Sequence, residues 1–337
     1  MKAVKFSVAA AAALALSTAA LANPTVYGQI NGEFVMDDDG VDTHMVAKSY
    51  GSRLGVKGSQ DLGDGLTGLY QVEMAIDPTV GVDSNDGRNS FVGMSGGFGT
   101  VLIGNHDTPY KIASRATGMV AHSDATDTLT FNERRLRKAV AYIAPIEGMT
   151  VAAAVVPFGQ ESEMHMSLGV VVPVSDELTI GLGYESANGN AVGIDETATY
   201  MYAGAKYKMG AMSIGLGVEM GNEADVTALV VDAITAGDIT EAEAEAAAKA
   251  ANLKEFDDYM AIMIPFNMNM DGGMFVNAAL KMTSYDAAGA DDKMEVGASI
   301  GKNFGKAAEA YVAMKMVDAG GTSDATTDMA VGMRVKF

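Results

Sequence analysis

The sequence predicts an all-β protein: a transmembrane antiparallel β-barrel of about 16 strands, with short periplasmic turns and long extracellular loops. Three observations predict this class. Apolar residues alternate with small or polar ones along most of the chain, a secretory signal precedes them, and short connections alternate with long ones. Hydrophobic residues make up 48% of the 337 residues, but they are dispersed. After the signal, no stretch approaches the roughly 18 uninterrupted apolar residues of a transmembrane helix.

The N-terminus has the pattern of a cleavable secretory signal. Lys2 and Lys5 precede an apolar run over residues 6–16, and small residues follow as far as Ala22. The apolar run is too short to cross a bilayer as a helix. We therefore expect a signal peptide over residues 1–22, cleavage between Ala22 and Asn23, and one barrel domain over residues 23–337.

Composition excludes several classes of function. The chain has no cysteine, so neither a disulfide nor a thiol nucleophile is available. The formal net charge of −20 becomes −22 when Lys2 and Lys5 leave with the signal, which argues against nucleic acid as a partner. Acidic clusters at residues 37–39 and 291–292 lack the spacing of an ordered calcium loop. We predict no metal site and no cofactor.

The alternation appears at both ends of the chain and between them. A soluble β-sandwich would also alternate, but the secretory signal favours a barrel with lipid outside and water inside. The residues predicted to face lipid in five segments are Val26, Ile30 and Phe34; Met212, Ile214, Leu216 and Val218; Met274, Val276, Ala278 and Leu280; Met294, Val296, Ala298 and Ile300; and Met329, Val331, Met333, Val335 and Phe337.

The connections show the asymmetry of an outer-membrane barrel. Tight turns are predicted at residues 61–65, 96–99, 173–177, 209–210, 267–273 and 303–306. Long loops are predicted at residues 37–50, 77–89, 107–133 and 221–257. The last contains an Ala/Glu-rich stretch at 240–252, where Thr240 and Glu243 form a capping box for a short helix.

Several segments resemble one family. They are VYG at residues 26–28, SRLGVKGS at 52–59 followed by DLG at 61–63, FVGMSGGFGT at 91–100, and the terminal Phe337. The chain resembles the Gram-negative general porins over nearly all of its mature length. The resemblance implies a homotrimer in the bacterial outer membrane, in contact with lipid and lipopolysaccharide. It also implies one diffusion pore per subunit for small hydrophilic solutes and ions, a loop at 107–133 that narrows it, and Phe337 as an assembly signal.

A basic run follows the predicted constriction loop. If Val140 and Tyr142 face lipid, period two places Arg135 and Arg137 on the lumen side. The loop offers Asp107, Asp124 and Asp127 opposite them, and such facing charges would create a transverse field. Resemblance adds Arg53 to this constriction. The alternative is a basic run exposed at the barrel rim, in contact with lipopolysaccharide.

Two other functions stay open at this stage, namely a substrate-specific porin and a surface adhesive or structural barrel. The location of the 107–133 loop separates a pore from an adhesin. An enzyme is not expected, because the only suggestive pair is His165 with Ser167 and no third group is placed near it. The acidic loops favour cations over anions, provided that the loop aspartates offset the arginines.

Overall fold

The computed structural model describes residues 24–38, 42–80, 88–118, 123–131, 135–156, 165–188, 197–223, 257–286, 291–321 and 325–337. The predicted signal peptide, its cleavage position and the predicted helix at 240–252 lie outside these residues. Within the described ranges, no helix is both long enough and apolar enough to cross a membrane.

The described chain is built from strands, one short helix and two 3₁₀ turns. The strands are β1 (Thr25–Asp38), β2 (Thr43–Lys48), β3 (Arg53–Gly63), β4 (Leu66–Ala75), β5 (Ser90–Gly96), β6 (Gly99–Asp107), β7 (Arg135–Ile146), β8 (Met149–Val156), β9 (His165–Pro173), β10 (Leu178–Asn188), β11 (Thr197–Met209), β12 (Met212–Glu223), β13 (Asp257–Asn269), β14 (Met274–Tyr285), β15 (Lys293–Phe304), β16 (Ala308–Asp318) and β17 (Thr326–Lys336). The helix α1 spans Pro109–Thr117, and the 3₁₀ turns span Asp124–Thr126 and Asp271–Gly273.

These strands form one closed antiparallel sheet. Sequential strands pair with each other, and β1 pairs with β17 from Gln29 opposite Lys336 to Met36 opposite Met329. The main chain of Phe337 extends this closure, because it exchanges hydrogen bonds of 2.9 and 3.1 Å with Gly28. The predicted barrel and the predicted pairing of first and last strands are confirmed. Closure leaves no free edge in the hydrocarbon layer.

The 17 strands occupy 16 barrel positions, because β2 and β3 share one. β2 pairs with the second half of β1 and β3 with the first half. Between them the chain bulges, with Gly51 at φ +67°. Asn31 on β1 holds the bulge. Its backbone N–H donates to Ser52 Oγ at 2.8 Å, and its side-chain Nδ2 donates to the Tyr50 carbonyl at 3.1 Å.

Alternation places apolar side chains on the outer surface. On β1, Val26 and Phe34 are 61% and 64% exposed, whereas Asn31 and Glu33 are buried on the lumen side. The same phase holds along β12, β14, β15 and β17, as predicted. All six predicted tight turns are found between consecutive strands, and a seventh connects β7 to β8 at Glu147 and Gly148.

Candidate functional site

The chain enters the lumen directly after β6. Thr108 caps α1, because its hydroxyl accepts a 3.0 Å hydrogen bond from the Lys111 amide, and Pro109 occupies the first turn. Nearly all of α1 is buried. We call residues 108–131 the lumenal loop; its described parts are 108–118 and 123–131.

The first part of the lumenal loop lies against the inner face of β9 to β12, where glycines make room for it. A Cβ on Gly169 would stand 2.0 Å from the Pro109 carbonyl oxygen, and one on Gly181 would stand 2.5 Å from the Ala113 carbonyl oxygen. Inward-facing side chains at these positions would therefore exclude the helix. The Tyr110 hydroxyl also donates a hydrogen bond to the Glu219 carboxylate on β12.

The middle of the lumenal loop is bound to β1. The Glu33 carboxylate accepts from Ser123 Oγ at 2.6 Å and from the Asp124 amide at 2.8 Å. Tyr311 on β16 donates to the same carboxylate at 3.1 Å. Asp124 also forms a 2.8 Å ion pair with Lys48 on β2. Buried charge-assisted hydrogen bonds of this kind hold the segment firmly.

The last described part of the loop packs on β11 to β15. Leu129 and Phe131 are buried in one apolar cluster with Tyr200 and Tyr202. Lys281 Nζ donates to the carbonyls of residues 128 and 130, at 3.0 Å each. The loop is thus attached to three sectors of the wall, which leaves open space beside the remaining sector, β3 to β7.

One face of that space is a basic wall organised by Glu73. The Glu73 carboxylate is buried, accepts from Arg88 Nε at 2.7 Å and from the Tyr27 hydroxyl at 2.9 Å, and lies 3.5 Å from Arg53 Nε. Lys57 lies over the Tyr27 ring, 4.9 Å from its centroid. One carboxylate therefore orients two guanidinium groups toward the lumen.

The opposite face begins at Asp107. Its carboxylate forms ion pairs with Lys111 at 3.0 Å and Arg135 at 3.2 Å, and it accepts from Asn89 Nδ2 at 3.2 Å. Asp107 and Arg135 are opposite each other on β6 and β7. They are therefore side-by-side neighbours. The sequence predicted that they face each other across the water path, and this arrangement is not found.

Between these faces lies a cavity of about 320 Å³. Its lining carries five cationic side chains and two carboxylates: Arg53, Lys57, Arg88, Arg115 and Arg135, with Glu73 and Asp107. Of the constriction residues predicted from sequence, Arg53, Arg135 and Asp107 line this cavity together. Arg88, Arg115 and Glu73 were missed.

Three predicted residues lie elsewhere. Arg137 is exposed, because Leu136 takes the buried inward position and a β-bulge sets Arg137 and Lys138 against the single residue Asn105. Lys138 has φ +54° there. Strict period two predicted that Arg137 faces the lumen. That prediction is wrong, because Arg137 lies exposed at the rim.

The other two are Asp124 and Asp127, which belong to the part of the loop bound near β1, β16 and β17. Asp124 is paired with Lys48 there. Burial and the nearby Asp124 carboxylate raise the pKa of Asp127. Neither aspartate offsets the arginines of the cavity.

The His165 and Ser167 pair has a structural explanation. Ser167 is fully buried under α1, and its Oγ accepts a 3.0 Å hydrogen bond from the Tyr110 amide. His165 Nε2 lies 3.5 Å from the Glu185 carboxylate. Ser167 therefore holds the lumenal loop and is not exposed as a nucleophile.

Comparison with known proteins decides the family. The family described as "Gram-negative porin" matches residues 8–334. The chain belongs to this family. Its closed barrel is accordingly a multi-pass protein of the bacterial outer membrane.

Porin relatives align over part of the chain. The "Major outer membrane protein P.IB" of Neisseria gonorrhoeae is 36% identical over 118 residues, which are 32% of this chain and 34% of that protein. Its counterpart in Neisseria lactamica is 38% identical over 118 residues, 32% of this chain and 35% of that protein. The alignment spans about a third of the length of these relatives.

Solved porin structures match the fold over almost the whole chain. The "Anion-selective porin from Comamonas acidovorans" superimposes with a TM-score of 0.71 at 18% identity, covering 94% of this chain and 100% of that one. The trimer form of OmpT from Vibrio cholerae gives 0.67 at 17% identity, covering 94% and 99%. At these identities the match establishes the fold alone.

Proposed function

We propose that this porin is a water-filled channel for passive diffusion of small hydrophilic solutes and ions across the outer membrane. The observation that carries the proposal is the charged cavity between the basic wall and the lumenal loop. A barrel that served only adhesion or support would have no need of a loop held inside it. Fixed charges around a narrow water path are the usual means by which a pore selects solutes.

We further propose that the constriction favours anions, which replaces the cation preference expected from sequence. That expectation required Asp107, Asp124 and Asp127 to offset the arginines, but only Asp107 lines the cavity. Its carboxylate is shared by Lys111 and Arg135. Five cationic side chains against two carboxylates leave a positive potential where charges act at short range.

The proposal extends to a homotrimer embedded in lipid and lipopolysaccharide. The outer surface carries apolar side chains suited to lipid or to a neighbouring subunit, for example Val72, Leu182 and Val331. The Vibrio cholerae neighbour is described as a trimer. Unheated protein in detergent should migrate as a trimer that heating converts to monomer, and cross-linking in native membranes should give a trimeric band that survives heating. A monomer under all conditions would refute this part.

The test of the channel itself uses planar bilayers and sealed vesicles. We expect stepwise ohmic conductance, and swelling of vesicles in sugars at rates that fall with sugar size. Saturation of the flux by one sugar would instead favour a substrate-specific porin. No conductance from folded protein would favour the adhesive or structural barrel.

Charge variants connect the conductance to the cavity. Arg53→Ala and Arg135→Ala should each move the reversal potential toward cations, because each removes a cation from the lining. Lys302→Ala is the matched control, since Lys302 is exposed on the outer surface beside Phe304. A shift of equal size in all three variants would refute the assignment of selectivity to this cavity.

A further inference from the structure

Methionines on the outer surface form a continuous band along neighbouring strands. Pairing aligns them directly in three runs: across β2, β1, β17 and β16, across β15 and β14, and across β13, β12 and β11. We call this set the methionine ribbon; its nine members are Met45, Met36, Met329, Met314, Met294, Met282, Met260, Met220 and Met201.

Diagonal neighbours join the three runs. Met294 is opposite Asp318, two residues beyond Met316 on the same face of β16. Met260 is opposite Ser284, two residues beyond Met282 on the same face of β14. Diagonal partners in an antiparallel sheet lie about 7–8 Å apart, within reach of a long side chain. Met316, which is not one of the nine, fills the four-residue offset between Met314 and Met294, and with it the methionines extend over nine adjacent strands.

The ribbon lies at the extracellular rim and outside the lumen. Each member is at most four residues from the long-loop end of its strand, which is about 13 Å along a strand. Their exposed fractions range from 36% to 71%. The periplasmic rim carries exposed aromatic residues, including Tyr207, Phe304 and Phe337, and a shorter methionine run of Met209, Met212 and Met268 on β11 to β13.

One methionine has the opposite environment. Met263 on β13 is 0% exposed, faces the lumen, and belongs to the apolar cluster that holds Leu129 and Phe131 of the lumenal loop. A Cβ added at Gly118 would stand 3.2 Å from its Cε. A polar atom introduced there would disturb the docking of the loop and hence the constriction.

We propose that the methionine ribbon is an oxidant-consuming site at the outer rim of the porin. The thioether is the chemical group that these side chains share, and two-electron oxidants such as hydrogen peroxide convert it to a sulfoxide. A sulfur lone pair attacks one peroxide oxygen, the S–O bond forms as the O–O bond breaks, and the proton on the transferred oxygen passes to the departing hydroxide, which leaves as water. Sulfur is oxidised by two electrons and the peroxide is reduced.

Oxidation of the ribbon leaves the pore intact, since its members point away from the lumen and touch neither the basic wall nor the lumenal loop. Met263 is, among the described methionines, the one buried on the lumen side, and it serves as the internal reference for reactivity.

The experiment treats trimers in lipid vesicles with hydrogen peroxide and maps added oxygen by peptide mass spectrometry. Ribbon methionines should react roughly tenfold or more faster than Met263, because reactivity follows exposure. Single-channel conductance should stay unchanged while the ribbon is oxidised. Equal rates for Met263 and the ribbon would overturn the proposal, as would a fall in conductance in step with ribbon oxidation.

Leucine variants supply the control. Met36→Leu, Met329→Leu and Met314→Leu together remove three of the nine ribbon thioethers, so the oxygen added to the ribbon peptides should fall by about a third. Met263→Leu removes one thioether outside the ribbon and should leave this amount unchanged. Such swaps conserve volume, so the barrel is retained. Oxidation confined to Met201 and its neighbours on β12 and β13 would show that the ribbon does not act as a unit.

Discussion

Replacing Glu33 should release the middle of the lumenal loop from the barrel wall. Glu33 is only 4% exposed, and two of the donors to its carboxylate, Ser123 Oγ and the Asp124 amide, belong to the loop. A hydrogen bond to a charged group contributes about 1.5–3 kcal/mol, so Glu33→Ala removes about 3–6 kcal/mol of local attachment. Since about 1.4 kcal/mol is a factor of ten, opening of residues 123–131 should increase at least about 100-fold.

Hydrogen exchange measured by mass spectrometry on peptides spanning residues 123–131 reports this opening. The amides of Thr126 and Leu129 are hydrogen-bonded within the segment and should lose protection in Glu33→Ala. Glu33→Gln keeps an acceptor without the charge and should be intermediate. The matched control is Glu309→Ala, a buried lumenal carboxylate paired with Arg334. Wild-type exchange in Glu33→Ala would refute the attachment.

Three further predictions concern assembly, helix docking and pH. Deleting Phe337 removes the residue that closes β1 onto the end of β17, so less heat-modifiable trimer should accumulate in the outer membrane while secretion continues; an unchanged amount would count against this. Gly169→Ala places a methyl group against the backbone of α1, so conductance should change and become noisier; a wild-type recording would contradict the docking. The raised folded-state pKa of Asp127 means that its contribution to stability is present below the usual carboxyl range and is lost as pH rises through the raised value. Asp127→Asn removes the buried charge and should therefore raise the unfolding temperature at pH 7 more than at pH 4. Equal shifts at the two pH values would refute this.

The barrel could be predicted from sequence because its physical signal is local and repeated. Alternation with period two fixes the side of every residue in a strand once one side is known to face lipid. The tight turns can be predicted from residues such as Gly65, Gly210 and Gly305, all of which have positive φ. None of these inferences requires knowledge of distant contacts.

Features that depend on distant contacts could not be predicted. The break between β2 and β3 is held by Asn31, whose side chain donates to the Tyr50 carbonyl. Nothing in the local sequence pattern marks this break. The bulge that turns Arg137 to the rim interrupts the alternation by one residue. A strict period of two, continued through the bulge, therefore assigns Arg137 to the wrong side. A carboxylate such as Asp124 is neutralised by Lys48, a residue far away in sequence.

One signal for the path of the lumenal loop was present in the sequence. Gly169, Gly181 and Gly215 occupy inward positions on β9, β10 and β12, where a polar lumen wall would carry larger side chains. Each gives space to the backbone of α1 or of the residue that ends it. A run of inward glycines thus indicates the wall against which a loop packs. It also indicates that the open water path lies beside the opposite wall.

The reversal potential of the wild-type trimer in a KCl gradient tests the central claim most directly, measured once at low and once at high mean salt. The basic lining of the cavity predicts a sign that reports anion preference under both conditions, because charges within a constriction are screened less than charges in exposed loops. Cation preference at both salt concentrations would contradict it, and would show that the acidic exterior of a chain with net charge −20 governs ion flow.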